Sequence, residues 1–177
     1  MVATKTTYFQ EIRAILSAAR RPGTPAGMKP SPAIRPLVAA LRARFDASDE
    51  GLNAVVDLAV IVALADGTID EAEMAALAES IGTLVGGMLD PRMTRHVIRE
   101  SRTKIDAVGV EARAKAIGES LAAHGATEDG LRLALAIGHA SEGLSPEELS
   151  RVELVARAAG VDPAALTKLG PSIEPGA

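Results

Sequence analysis

An acidic turn between two apolar helical runs constrains this chain more than any other feature. It spans Val62-Ala63-Leu64-Ala65-Asp66-Gly67-Thr68-Ile69-Asp70-Glu71-Ala72-Glu73-Met74-Ala75-Ala76-Leu77. A looser copy follows about seventy residues later, as Ala140-Ser141-Glu142-Gly143-Leu144-Ser145-Pro146-Glu147-Glu148-Leu149. Before each turn lies a nearly wholly apolar run, near 50–65 and 128–141, with the spacing of a buried helix. The pattern predicts two similar helix–turn–helix halves packed around a shared core. Connections this short leave no room for a strand-rich fold.

Composition agrees. Hydrophobic residues make up 47% of the chain but aromatics only 2%. The core must therefore come from Ala, Leu, Val and Ile, and Ala and Leu are strong helix formers. The expected class is all-α, with 177 residues enough for one core. The chain has no cysteine, which removes disulfides, thiol nucleophiles and Cys-based zinc sites. No apolar run approaches the ~20 residues that span a bilayer, and the N-terminus lacks a signal-peptide core. A cytoplasmic location is expected by default.

Along the chain, Tyr8, Ile12, Ile15, Leu16 and Ala19 predict an amphipathic helix over 3–20. The stretch 21–32 holds four prolines and two glycines and reads as an extended linker. Residues 1–33 thus form an arm, 34–170 a helical domain, and 171–177 a frayed tail. Further helices are expected over 34–45, 49–65, 70–85, 91–108, 111–124 and 128–141. Another starts at Ser145-Pro146 and is closed by Gly160, and a short one opens at Asp162-Pro163. Thr127 is the expected N-cap of the helix that begins at Glu128.

Charge divides the chain. Residues 1–45 carry Lys5, Arg13, Arg20, Arg21, Lys29, Arg35, Arg42 and Arg44 against Glu11 alone, a net +7. The remainder carries −11, for a total of −4. A basic arm on an acidic body suits docking to a protein partner or peripheral contact with an anionic membrane. The rival reading is an arm folded back onto the acidic body or swapped into a second copy as a homo-oligomer. No nucleic-acid partner is expected, because the body repels phosphate and no groove-reading motif occurs.

In the turns, Asp70 with Glu73, and Ser145 with Glu148, have the spacing of capping boxes. Glu71 and Glu147 favour the positive helix end. Asp66 and Glu142 are different. Each sits at the negative end of a helix before a glycine, where a carboxylate is mildly unfavourable and capping does not explain it. A pseudo-twofold packing of the halves would gather several carboxylates, which suits Ca²⁺ or Mg²⁺; solvated surface acids are the alternative. An EF-hand is excluded: counting from Asp66, glycine stands at the second loop position instead of the sixth, and Leu77 occupies the twelfth. His96, His124 and His139 have no metal-site spacing. There is no phosphate-binding glycine loop and no nucleophile elbow.

The first turn, Leu64-Ala65-Asp66-Gly67-Thr68-Ile69-Asp70-Glu71-Ala72-Glu73, resembles the signature of the TerB-like, tellurite-resistance family. The second is similar to the downstream repeat of those proteins, with Glu for Asp and one residue fewer after the glycine. The resemblance covers about residues 48–169 and does not extend to the arm. It implies a compact helical bundle of two related halves, a place in tellurite or chemical-stress resistance, and a divalent-cation role for the acidic patch. By position it makes Asp66, Asp70, Glu73, Glu142 and Glu148 the candidate metal ligands.

The leading expectation is a non-enzymatic stress-response interaction module that binds a divalent cation at the acidic patch and requires no other cofactor. The alternative is a structural or cargo-adaptor protein whose N-terminal helix docks into a larger assembly. A hydrolase using the acid cluster ranks below both, since so few aromatics leave little to bind a sugar or base.

Overall fold

The computed structural model describes residues 34–45, 49–85, 90–139 and 144–169. The expected arm helix and linker, Glu142 and the tail lie outside the described residues. Among those described there are seven α-helices, one 3-10 helix and no strand. The α-helices are α1 (Ile34–Arg44), α2 (Asp49–Ala63), α3 (Glu71–Val85), α4 (Pro91–Val108), α5 (Val110–Ala123), α6 (Thr127–Gly138) and α7 (Pro146–Ala158). Pro163–Lys168 forms the 3-10 helix. The all-α expectation holds.

α2 is the axis of the bundle. It packs against α3, α4, α5, α6 and α7, and Leu52, Val55, Val56, Leu58, Val60, Ile61 and Val62 are all buried. A helix buried all round must be apolar all round, which its sequence satisfies apart from Asp49 and Glu50 at its start and Asn53 and Asp57 further on. α4 is the opposite case. Its buried residues Thr94, Val97, Ile98, Ser101 and Ile105 recur at helical spacing on one face, and the rest of the helix is strongly charged.

α1 lies across α3 and α6. Ile34, Val38, Leu41 and Phe45, one face of the helix and the residue after it, are each at most 1% exposed. Burying each is worth about 1.5–3 kcal/mol. The exposed ion pairs Arg35–Glu79 (3.1 Å) and Arg44–Asp129 (2.6 Å) are worth about 0–1 kcal/mol each. The apolar face, more than the basic charge noted in the sequence, fixes α1 on the body.

Helix starts follow the local chemistry. Asp90 Oδ1 accepts from the N–H groups of Arg92 and Met93, with Pro91 in the first turn. Asp162 caps the 3-10 helix through the Ala164 N–H (2.9 Å). Thr127 is not an N-cap. Ala126 holds that position with no side-chain bond, because its N–H closes α5 on the Leu121 carbonyl (2.8 Å) and the chain enters α6 directly.

Candidate functional site at the paired acidic turns

After α2 the backbone closes through Gly67 N–H to the Leu64 carbonyl (3.1 Å), with Gly67 at φ 91°. That left-handed value favours glycine and reverses the chain in few residues. Asp66 Oδ1 accepts from both the N–H (2.8 Å) and the hydroxyl (3.1 Å) of Thr68. A side-chain bond two residues on is an Asx turn, so Asp66 has a local structural task that the sequence reading did not assign to it.

Both capping boxes form. Glu73 N–H donates to Asp70 Oδ1 (2.8 Å), and Asp70 N–H donates to Glu73 Oε2 (2.9 Å). In the second turn Glu148 N–H donates to Ser145 Oγ (3.1 Å), and Ser145 N–H donates to Glu148 Oε2 (2.6 Å). Each glutamate therefore bends back over its helix start, which draws its carboxyl group inward.

The consequence is a meeting of the two boxes. Glu73 is 7% exposed and Glu148 5%, and the Glu148 carboxyl group stands near enough to act on that of Glu73. Glu148 Oε1 is buried and has no donor among N–H or hydroxyl groups. It lies against Gly138 at the end of α6, where an added Cβ would sit 3.4 Å from it. The glycine makes room for Leu144, whose Cδ1 an added Cβ would strike, while the carboxyl oxygen would be in ordinary contact.

Two carboxyl groups cannot share a hydrogen bond unless one carries a proton. The pKa of Glu73 is pushed up from 4.5 to about 7. Burial is the largest cause. The Asp70 backbone bond opposes it, and the bond to Glu148 and the charges of Asp70 and Glu148 reinforce it. A proton on Glu73 provides the donor that the Glu148 carboxylate otherwise lacks.

Of the expected site residues, Glu73 and Glu148 come together. Asp70 is exposed and acts on Glu73 through its charge and backbone. Asp66 is exposed and is not among the charges acting on Glu73. Glu142 lies outside the described residues. Among the described residues, no group of three or more His, Asp or Glu side chains is arranged to hold a metal ion. Between Ala65 and the start of α7 runs a shallow groove of about 340 Å³, lined by Ala65, Pro146, Glu147, Ser150 and Arg151.

Sequence reasoning missed a second polar centre. Asp57, 2% exposed on α2, accepts from the Ser101 hydroxyl on α4 and pairs with Arg113 on α5. Its signal was legible: one carboxylate stands inside the apolar run Ala54-Val55-Val56-Asp57-Leu58-Ala59-Val60 of a central helix. His124 caps α5, with its Nδ1 2.8 Å from the Ser120 carbonyl, and its ring packs 4.7 Å from Phe45. That accounts for it without a metal.

No family model, curated protein or solved structure matches this chain. The likeness to the TerB-like family therefore stands on the residues of the two turns.

Proposed function

We propose that this chain is a non-enzymatic, TerB-like interaction module of chemical-stress response whose two acidic turns are joined by a divalent cation, Ca²⁺ or Mg²⁺. One observation carries the reading: the capping glutamates of both turns are buried against each other, with Glu148 Oε1 lacking a donor. Hard cations take carboxylate oxygens, and a cation would take the place of the proton between the two groups. Glu73 and Glu148 would be its protein ligands, and solvent would complete the shell. The pairing of two boxes also supports the reading of two related halves that meet at this point. Neutralised, the two turns would stiffen and present the neighbouring groove to a protein partner.

The test is a thermal-shift titration of the full chain with CaCl₂ and MgCl₂ at constant high NaCl. Because cation and proton compete for Glu73, the rise in Tm should be larger at pH 8 than at pH 6. The double variant Glu73→Gln, Glu148→Gln should lose the shift. A wild-type chain with no cation-dependent rise at pH 8 would sink the reading.

A further inference from the structure

The exposed face of α4 is built from residues that the acidic turns do not use, and its role does not depend on the function proposed for them. Residues 46–177 carry 22 acidic groups against 11 basic ones. Five of those 11 lie on α4, as Arg92, Arg95, Arg99, Arg102 and Lys104. The four arginines are exposed and stand three, four and three residues apart. That spacing sets them in one row along about 15 Å of helix, on a different side from the buried Val97, Ser101 and Ile105.

Arginines elsewhere in the bundle are largely paired: Arg35, Arg44, Arg113, Arg132 and Arg157 each have a carboxylate within ion-pair distance. In the row, Arg102 reaches Asp106 at 3.7 Å, and Arg92, Arg95 and Arg99 have no acid partner among the described residues. Like charges three and four residues apart repel one another on a helix, so an anion laid along the row relieves them. Guanidinium forks suit carboxylates and phosphates alike. A membrane or a nucleic acid, however, extends past the row and meets the acid surplus of the body. A short acidic segment covers the row alone. The basic stretch before α1 has the wrong charge to be that segment. A second copy is poorly equipped as well, because Glu119, Glu128, Asp129 and Glu153 on its helices are already paired with Lys115, Arg132, Arg44 and Arg157. A row at helical spacing is matched by carboxylates at helical spacing on a helix lying alongside.

We propose that the arginine row of α4 binds an acidic helical segment of a partner protein, whose carboxylates recur at the same three- and four-residue spacing. The experiment is fluorescence anisotropy on the full chain, with a labelled helical peptide carrying Glu at that spacing as the probe. The expected result is saturable binding that weakens with NaCl and falls about tenfold in Arg95→Gln, Arg99→Gln, which removes two exposed pairs. The double variant Arg42→Gln, Lys168→Gln takes the same charge from exposed positions elsewhere and should bind like wild type. All four substitutions are at the surface, and matched Tm values tie a loss of binding to the row. No binding by wild type, or an equal loss in the two double variants, would overturn the proposal. So would displacement of the peptide by phosphatidylserine vesicles or duplex DNA at lower anion concentration, which would assign the row to a lipid or a nucleic acid.

Discussion

Two sets of carboxyl groups are buried in this bundle, and they are kept there by opposite means. Asp57 faces a guanidinium and a hydroxyl, so its charge is answered within the protein. Glu73 and Glu148 face each other, each held by one backbone N–H of its capping box, and Glu148 Oε1 has no donor. The first arrangement sets opposite charges together, and the groups that answer the carboxylate belong to the chain. The second sets like groups together in a buried place, which raises the proton affinity of Glu73.

The comparison breaks most readily at Asp57. Asp57→Ala leaves Arg113 without its counter-ion, and we expect a loss of about 3–5 kcal/mol by urea unfolding, typical of breaking a buried pair. Replacing both partners by Leu should cost far less, since no lone charge remains. If the two changes cost the same, the ion pair is not what makes Asp57 tolerable.

Next in size is the pH dependence carried by Glu73. Below about pH 4.5 both folded and unfolded chains hold its proton, and between there and about 7 only the folded chain does. Stability from this group is therefore fully present at acid pH and is lost as pH rises toward 7, by on the order of 3 kcal/mol. Unfolding free energies of wild type and Glu73→Gln, measured from pH 4.5 to 8, should differ by a term that falls across this window. A difference that stays flat would place Glu73 with ordinary surface acids.

Removing the caps tests a smaller effect. Asp70→Ala and Ser145→Ala should each cost about 1 kcal/mol at their helix starts. Because each cap holds its glutamate in place, either change should also alter the Glu73 titration, read by carboxyl ¹³C NMR. Smallest is Arg35→Ala, which removes an exposed pair with Glu79 and should change stability by less than about 1 kcal/mol.

Much of this was legible in the sequence. Helix class and most helix starts follow from periodicity and from Asp90-Pro91, Ser145-Pro146 and Asp162-Pro163, whose chemistry is local. Both capping boxes were legible for the same reason. That Glu73 and Glu148 touch was expected only as a general gathering of carboxylates, because it depends on how α3 and α7 are placed around α2. Asp66 looked unexplained because an Asx turn needs the hydroxyl and N–H of Thr68 in a particular geometry, which spacing alone does not reveal. Asp57 went unread because its partners stand on other helices, at 101 and 113.

The link between Glu73 and Glu148 also has a consequence during synthesis. The two residues are about 75 positions apart, so at ~5–20 residues per second a ribosome needs roughly 4–15 s to make the second after the first. Throughout that interval Glu73 belongs to a nascent chain in which its partner does not exist, and it titrates as a solvated acid. Its raised affinity for a proton arrives only when α7 has emerged and docked, so the pairing of the two turns is a late acquisition of the growing polypeptide.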